Sequence, residues 1–246
     1  MKAMIFAAGL GTRLKPLTDS IPKALVPIAG KPLLEHVIIK LKSAGFNEII
    51  VNVHHFPEQI IDFIRQKDAF GIRIEVSDER ELLLETGGGI QKAAWFFDDK
   101  QPFLVHNVDI LSNIDLKRMY EAHLSKNVLA TLVVSKRDTF RYLLFDDNLR
   151  LHGWTNLKTK EIKPCELTNV TDYQQLAFAG IQVISPTIFN LMNDFGQRFP
   201  IMEFYLSQAG NQTINGFIPS DFEMIDVGKL NVLDEAEKFV LRNCNS

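Results

Sequence analysis

The chain has 246 residues, of which 46% are hydrophobic and 10% aromatic, and its formal net charge at pH 7 is −3. This length and composition indicate a globular protein that folds without stabilising disulfide bonds or structural metals. The negative net charge argues against nucleic acid as the main partner. No apolar run approaches the roughly 20 residues of a membrane span, and the apolar stretch 3–8 is too short for a signal peptide. We therefore expect a cytoplasmic protein without a membrane partner, with free thiols at Cys165 and Cys244.

The first half of the chain alternates short apolar runs with helical patterns. Strands are predicted over 3–8, 49–53, 72–77, 102–107 and 128–134. Helices are predicted from Leu33 to Leu41, from Pro57 through Ile64, through Ala93 and Trp95, and from an N-cap at Asp115 to about Ser125. Strands separated by helices indicate an α/β fold, a Rossmann-like, doubly wound mixed sheet flanked by helices.

The second half is less regular. Strands are predicted over 142–145, 149–154 and 176–184, and helices over 186–192, 202–209 and 229–241. No linker-like stretch or internal repeat interrupts the chain, which predicts one domain over 1–246. Ligands of open parallel sheets bind at the carboxyl ends of the strands, so the residues that follow each first-half strand are the site candidates.

A glycine loop follows the first predicted strand, with the sequence Gly9-Leu10-Gly11-Thr12-Arg13-Leu14. Glycines let backbone amides approach an anion closely. The loop lacks the Gly-Lys-Ser/Thr of an ATP-binding P-loop, and Leu14 stands where a dinucleotide-binding loop has its third glycine. Arg13 and Lys23 add two cations, which suit a triphosphate better than a neutral ligand.

The segment Ala7–Leu14, with Pro16-Leu17-Thr18 and Pro22-Lys23 behind it, resembles the signature of the sugar-1-phosphate nucleotidyltransferases. The resemblance implies a nucleoside triphosphate and a sugar 1-phosphate as substrates. It implies that Arg13 neutralises the leaving pyrophosphate and Lys23 the reacting phosphates. It also implies that the triphosphate is held by the loop residues Ala8, Gly9, Leu10, Gly11 and Thr12. Ala8 departs from the pattern, since many members have a second glycine there, and alanine is tolerable if its φ is normal.

Two aspartates match the positions that hold magnesium in this family. Asp109 lies in Asn107-Val108-Asp109 after the fourth predicted strand, and Asp226 lies in Met224-Ile225-Asp226-Val227-Gly228. Mg²⁺ prefers oxygen ligands and is usually held by one or two carboxylates together with substrate phosphates. We therefore expect Mg²⁺ as the cofactor and the two carboxylates close together, although Asp226 could instead cap a helix. Val108 replaces a family glycine and would either crowd the nucleotide or strain the backbone.

Another glycine-rich segment, Glu85-Thr86-Gly87-Gly88-Gly89, follows the third strand and is either a flexible turn that opens a helix or a ligand loop. It resembles the family loop over the nucleobase and ribose, which implies nucleotide contacts from Glu85, Thr86, Gly87 and Gly88.

On the acceptor side, Phe178-Ala179-Gly180-Ile181 resembles the strand beneath the sugar, so Gly180 and Asn107 are candidate sugar contacts. Trp154 is a core residue or a stacking face for the sugar, and Asn156 could supply an amide.

The resemblance extends over nearly the whole chain and implies a nucleotide-binding half (1–135) and a sugar-binding half (136–246), in the short form without a C-terminal repeat. We expect a monomer or small homo-oligomer that uses UTP with an amino-sugar phosphate such as N-acetylmuramate 1-phosphate. The alternatives are a mannose-1-phosphate guanylyltransferase, a phosphocholine-type cytidylyltransferase and a catalytically dead relative that binds nucleotide sugars. A nicotinamide-dependent dehydrogenase is disfavoured by Leu14.

Overall fold

The computed structural model describes residues 1–167 and 169–243. Its strands are β1 (Lys2–Phe6), β2 (Pro27–Ile28), β3 (Lys31–Pro32), β4 (Glu48–Val53), β5 (Arg73–Asp78), β6 (Phe103–Asn107), β7 (Ile110–Ser112), β8 (Ala130–Ser135), β9 (Arg141–Phe145), β10 (Leu151–Asn156), β11 (Glu161–Lys163), β12 (Gln174–Ile184), β13 (Ile214–Phe217) and β14 (Met224–Asp226). The α-helices are α1 (Leu33–Ser43), α2 (Pro57–Gln66), α3 (Glu85–Lys92), α4 (Leu116–Leu124), α5 (Ile188–Met192), α6 (Ile201–Gln208) and α7 (Leu233–Asn243). Short 3₁₀ helices lie at Thr12–Leu14, Leu17–Asp19, Lys23–Leu25, Asp68–Gly71, Ala94–Phe96, Val170–Asp172, Asn193–Phe195 and Leu230–Val232.

The central sheet is mixed, as predicted. Its strand order is β11-β10-β9-β12-β6-β1-β4-β5, and β8 pairs with both β12 and β13. The strands β6, β1, β4 and β5 run parallel to one another. The long strand β12 lies antiparallel to β6 and to β9 and so joins the parallel half of the sheet to the antiparallel half.

The core has two layers because successive side chains of a strand point to opposite faces. In β1, Ala3 and Ile5 belong to the layer that also contains the buried face of α1, whereas Met4 belongs to the layer beneath α6. Helix α1 presents Leu33, Leu34, Val37, Ile38 and Leu41, which recur at helical spacing and are all buried. The sheet is therefore covered on both faces, as a parallel sheet requires.

The strand pairing brings distant loops to one edge of the sheet. Phe6 at the end of β1 is in register with Asn107 at the end of β6, and the Val108 amide donates to the Phe6 carbonyl over 3.1 Å. Strand β14 returns to pair with β7, which places Asp226 opposite Ile110. The loops after β1 and β6 and the C-terminal strand thus meet at the carboxyl ends of the parallel strands.

Several local predictions were wrong. Glu85–Gly89 was expected as a loop but forms the first turns of α3, which ends at Lys92, and only a 3₁₀ turn follows at Ala94–Phe96. The last α-helix begins at Leu233 rather than at 229, because 230–232 form a 3₁₀ turn. The N-cap predicted at Asp115 is confirmed, since its carboxylate accepts from the Arg118 amide over 2.9 Å.

Within residues 1–167 and 169–243, no helix is long and apolar enough to cross a membrane. Cys165 is exposed and carries a free thiol. Cys244, the second predicted free thiol, lies outside the described residues.

Candidate active site

A cleft of about 360 Å³ opens at the carboxyl ends of β1, β4, β5 and β6. This is the edge at which ligands of open α/β sheets bind. The cleft is lined by Phe6, Ala8, Gly9, Lys23, Asn52, Glu79, Leu83, Glu85, Thr86, Asn107, Val108 and Asp109. Seven of these were predicted site residues: Ala8, Gly9, Lys23, Glu85, Thr86, Asn107 and Asp109.

The loop after β1 needs its two glycines for different reasons. Gly11 has φ +65°, and a Cβ there would lie 2.8 Å from Thr18 Cγ2. The Gly11 carbonyl accepts from Thr18 Oγ1 and from the Leu14 amide, each over 2.8 Å, which fixes the turn. A Cβ on Gly9 would meet no atom within 4 Å, so bare backbone faces the cleft at that position. Such a surface allows an anion to approach the main chain closely.

The remaining loop residues lie at the rim. Leu10 is 44% exposed, and Thr12 and Arg13 are exposed on the 3₁₀ turn that follows. Ala8 is buried, and its φ does not lie in the left-handed region. The condition stated for Ala8, a normal φ, is therefore met.

Lys23 and Asp109 form an ion pair on the cleft wall. The Lys23 side chain is 10% exposed and that of Asp109 is 20% exposed, so water screens the pair only weakly. Lys23 opens a 3₁₀ turn behind the glycine loop, and its Cβ packs against Gly11. The structure thus brings the predicted phosphate cation and one predicted metal carboxylate into direct contact.

Asp226 and Arg13 flank Gly228. An ideal Cβ on Gly228 would lie 2.8 Å from Asp226 Oδ1 and equally 2.8 Å from Arg13 Nη2. The next residue after Asp226, Val227, donates its amide to the Asp109 carbonyl over 2.8 Å. The backbone of Asp226 and Val227 therefore lies beside the turn that carries Asp109, and the convergence of the two carboxylates on one cation stays a prediction.

Two carboxylates, one in the turn between β6 and β7 and one at the end of β14, are oxygen donors of the kind that Mg²⁺ accepts when substrate phosphates complete its coordination. In the part of the chain that the structure describes, no group of three or more His, Cys, Asp or Glu side chains is arranged to hold a metal ion. A site built from Asp109 and Asp226 would accordingly depend on substrate oxygens.

A buried polar network beneath the cleft was not predicted. Asn52, in β4, accepts from the Ala7 amide over 2.8 Å and donates to Glu79 Oε1 over 2.8 Å. Glu79 is 1% exposed and also accepts from the Leu84 amide over 3.2 Å. Burial raises the pKa of Glu79, against smaller opposing effects of these hydrogen bonds. Both residues lie at the carboxyl ends of parallel strands, which is the signal that could have identified them.

Helix α3 uses its glycines for packing. The Gly87 and Gly88 amides donate to the Phe199 carbonyl over 2.8 Å and 3.2 Å. A Cβ on Gly87 would overlap the Phe199 ring, and one on Gly88 would overlap the Gln197 carbonyl oxygen. Both glycines lie behind the cleft wall, against the segment before α6, and this close approach explains why only glycine fits.

The first two residues of this helix do reach the cleft. Glu85 has φ +63° and pairs with Arg198 Nε over 3.3 Å. Thr86 accepts from the Ile201 amide over 2.9 Å. The Glu85 carboxylate and the Thr86 hydroxyl, which belong to two predicted nucleotide contacts, are therefore engaged with residues that precede or begin α6.

Val108 raises no backbone difficulty. It is 4% exposed and lines the cleft, and its φ does not lie in the left-handed region. Of the two alternatives stated for Val108, a left-handed, strained backbone is not observed, and crowding of the nucleotide stays a prediction.

Trp154 and Asn156 lie apart from the nucleotide cleft. The Asn156 carboxamide accepts from the Lys158 and Thr159 amides over 3.0 Å and 3.4 Å and so closes the turn between β10 and β11. Trp154 is half-buried and lines a second cavity between the antiparallel strands and α6. Gly180 is buried with φ +74°, and a Cβ there would lie 2.8 Å from Asn107 Nδ2. Of the predicted sugar contacts, the structure brings Gly180 and Asn107 together.

Comparison with known proteins gives consistent results. A model of the family described as nucleotidyl transferase matches residues 2–143. The chain is 30% identical to a UTP–glucose-1-phosphate uridylyltransferase of Synechocystis over 94% of its length and 61% of the relative's. It is 46% identical to an N-acetylmuramate alpha-1-phosphate uridylyltransferase of Neisseria meningitidis over 49% of its length and 52% of the relative's. It is 37% identical to mannose-1-phosphate guanylyltransferase 1 of Arabidopsis thaliana over 56% of its length and 39% of the relative's.

The fold has solved counterparts. A putative glucose-1-phosphate thymidylyltransferase from Bacillus anthracis superposes with a TM-score of 0.81 at 16% identity, over 97% of this chain and 94% of the other. The predicted mixed α/β sheet is therefore confirmed.

Proposed function

This chain belongs to the nucleotidyl transferase family, and we propose that it joins a nucleoside triphosphate to a sugar 1-phosphate and releases pyrophosphate. The family membership confirms the resemblance predicted from residues 7–23. The observation that carries the proposal is the meeting of Lys23, Asp109, Asp226 and Arg13 beside a glycine loop at one sheet edge. Two cations and two carboxylates suit polyphosphate chemistry, whose catalysis is positioning and charge neutralisation.

The proposed reaction is a single in-line displacement. A phosphate oxygen of the sugar 1-phosphate forms a bond to the α-phosphorus, and the bond from that phosphorus to the bridging oxygen of the β-phosphate breaks. The electron pair leaves with pyrophosphate. The nucleophile is already an anion at neutral pH, so no general base is required. We assign Lys23 to the reacting phosphates and Arg13 to the leaving pyrophosphate, where fixed charges stabilise the charge that develops.

Asp109 and Asp226 would hold Mg²⁺ in this scheme. When bound, the ion would screen the negative charges of the two phosphates that must approach each other. In the described structure the Asp109 carboxylate forms an ion pair with the Lys23 ammonium.

For the base and sugar we favour UTP with an amino-sugar 1-phosphate such as N-acetylmuramate 1-phosphate. The similarity to the muramate enzyme of Neisseria supports this choice. The rival is GTP with mannose 1-phosphate, supported by the Arabidopsis relative and by Glu85, which lines the cleft and could accept from the guanine amino group. In the described structure Glu85 is paired with Arg198, so guanine would have to compete for that carboxylate.

A phosphocholine-type cytidylyltransferase and a catalytically dead nucleotide-sugar-binding protein have less structural support. A phosphocholine acceptor would favour a cage of aromatic and acidic side chains, but the second cavity presents three basic side chains and one acidic one. A cationic acceptor is repelled by that balance. Loss of catalysis was suggested by Val108 alone, and the backbone of Val108 is unstrained.

The assignment of the nucleotide to residues 1–135 and the sugar to 136–246 of one domain belongs to the same proposal. The chain spans 61% or less of the length of the three relatives compared, so the activity and substrates of the whole protein are part of the proposal as well. A cytoplasmic location and a monomeric or small homo-oligomeric state stay predictions.

The experiment is a pyrophosphate-release screen of four nucleoside triphosphates against a panel of sugar 1-phosphates, with and without Mg²⁺. Release is expected only when both substrates and the metal are present. Asp226→Asn serves as the catalytic control, and exposed Arg65→Gln on α2 as the matched surface control. If nucleotide binds but no sugar phosphate elicits pyrophosphate, the transferase proposal is wrong and the protein binds nucleotides without turning them over.

A further inference from the structure

The second cavity has the dimensions of a small-molecule site. Its volume is about 520 Å³, within the usual range for ligand pockets of roughly 300–1,000 Å³. It lies between strands β9 to β12 and the beginning of α6. It is lined by Arg137, Thr139, Arg141, Leu143, Trp154, Lys163, Phe178, Pro200, Met202, Glu203 and Leu206.

The charge balance of this cavity favours an anion. Arg137, Arg141 and Lys163 line it against the single carboxylate of Glu203. Among the described residues, Arg141 has no carboxylate within ion-pair distance and no hydrogen bond from its guanidinium. Arg137 donates to the Phe178 carbonyl over 3.0 Å, which leaves its charge without an acidic partner in the described chain. A guanidinium binds a carboxylate through paired N–H donors, and both of these exposed side chains line the same cavity.

An aromatic ring adjoins these cations. Trp154 is half-buried, and Lys163 Nζ lies 5.8 Å from its ring centroid while pairing with Glu161 over 3.4 Å. With Phe178 and Leu143, the ring forms an apolar surface next to the guanidinium groups. The cavity thus offers an apolar wall for a bulky, neutral part of a ligand and basic groups for an acidic one.

The cavity is separate from the nucleotide cleft, but two backbone segments connect their linings. Phe178 lies two residues before Gly180, whose backbone abuts Asn107 of the cleft. Pro200 and Met202 flank Ile201, whose amide donates to Thr86 of the cleft. Strand β12 and the residues around Ile201 thus contact both regions, and in the arrangement we propose an acceptor whose phosphate lies at Asp109 and Lys23 extends toward Arg137 and Arg141.

From this arrangement we infer that the acceptor sugar carries a carboxylate, which Arg141 and Arg137 bind while the ring of Trp154 packs against the sugar. The inference rests on the proposed function and narrows its substrate class to acidic sugar 1-phosphates. The carboxylate could come from a lactyl ether, as in N-acetylmuramate, or from an oxidised C6, as in a uronic acid. Both present the same group to the guanidinium pair.

The test compares acidic and neutral acceptors that differ in the carboxylate group. N-acetylmuramate 1-phosphate is paired with N-acetylglucosamine 1-phosphate, and glucuronate 1-phosphate with glucose 1-phosphate. We expect the wild-type kcat/KM to be higher for the acidic member of at least one pair. Arg141→Gln should lower that value by roughly 10- to 100-fold, the effect of removing one charge-assisted hydrogen bond, and should leave the neutral partner within threefold. The pair in which the acidic sugar has the higher kcat/KM shows whether the carboxylate is that of a lactyl ether or of an oxidised C6.

Arg141→Gln should fold normally because the wild-type guanidinium makes no hydrogen bond or ion pair in the described chain. Arg137→Gln provides a second variant with the same expected selectivity, and thermal unfolding checks both. Arg65→Gln removes a comparable exposed charge on α2 and should leave kcat/KM unchanged for both the acidic and the neutral acceptor. An equal kcat/KM for acidic and neutral sugars in the wild type, unchanged by Arg141→Gln, would overturn the inference while leaving the transferase intact. Absence of pyrophosphate release with every sugar would instead refute the proposed function.

Discussion

Replacing Gly88 by alanine separates a packing role of the α3 glycines from a role in binding the nucleobase. In an exposed helix this change stabilises by about 1 kcal/mol, because alanine is the better helix former. At Gly88, however, the new Cβ would overlap the Gln197 carbonyl oxygen and lie 3.1 Å from its carbonyl carbon. The obstacle is backbone rather than a flexible side chain, so α3 or the segment before α6 must move.

The expected loss of stability follows from two terms. Overpacking of a well-packed site costs about 1–3 kcal/mol. Displacement also weakens the bonds from the Gly87 and Gly88 amides to the Phe199 carbonyl, each worth about 1 kcal/mol. If both bonds are lost, these costs less the gain in helix propensity give a net destabilisation of about 2–4 kcal/mol. For a chain of this size that corresponds to a fall in Tm of about 4–16 °C.

Gly9→Ala is the matched control, because its Cβ would meet no atom within 4 Å and the residue lines the cleft. We expect its Tm to stay within about 1 °C, as for a substitution without a steric cost, and its KM for the nucleoside triphosphate to rise about tenfold from one lost close approach. Thermal unfolding followed by circular dichroism measures the first quantity, and steady-state kinetics the second. A Tm for Gly88→Ala equal to or above that of the wild type would refute the packing argument.

Three further variants test the metal site, a buried lysine and the cleft wall. Asp226 is exposed, so Asp226→Asn should leave Tm unchanged. The same variant should lower kcat by roughly 100-fold, as loss of one preorganised charge does. Retention of full activity would remove Asp226 from the proposed site. Burial lowers the pKa of Lys40 to about 8, against a smaller opposing effect of Asp115. The folded state then binds fewer protons than the unfolded state between pH 8 and 10.5, so stability should rise with pH across that window. Lys40→Met should abolish that rise and stabilise the protein at pH 7 by at most about 3 kcal/mol. Urea unfolding at several pH values measures both effects. An unaltered dependence of the unfolding free energy on pH would contradict the lowered pKa of Lys40. Val108→Ala should cost about 1–2 kcal/mol through the lost burial and leave kcat within threefold, whereas a large gain in kcat would mean that valine crowds the nucleotide.

The parallel half of the fold was predictable because its signals are local. Strands β1, β4 and β6 are largely apolar runs, β5 alternates polar and apolar residues, and the helices between them repeat apolar residues at helical spacing. The short pairs β2–β3 and β7–β14 were missed because strands of two or three residues carry no periodicity of their own. They exist because distant segments meet, as when Met224–Asp226 pairs with Ile110–Ser112.

The glycine-rich segment shows where local reasoning fails. Three consecutive glycines have poor helix propensity and were interpreted as a loop. In the structure they are helical because their missing side chains let the segment around Phe199 approach, and that contact is more than a hundred residues away in sequence. Tertiary packing here overrides propensity.

The candidate site was predicted only in part, for a similar reason. Lys23 and Asp109 were identified from family motifs, and their direct contact required the fold. Glu79 and Asn52 belong to no recognised motif, and only their position at strand ends makes them neighbours. Asn156 was assigned to the sugar on its chemistry, but the turn between β10 and β11 uses its carboxamide oxygen.

The measurement that tests the central claim most directly follows the oxygen atoms of the acceptor. A sugar 1-phosphate labelled with ¹⁸O on its non-bridging phosphate oxygens is incubated with UTP, Mg²⁺ and the protein, and the products are separated and analysed by mass spectrometry. Direct attack on the α-phosphorus predicts that the label stays in the nucleotide sugar, including the new bridge, and that the pyrophosphate is unlabelled. Label in pyrophosphate, or hydrolysis of UTP without a labelled nucleotide sugar, would contradict the account.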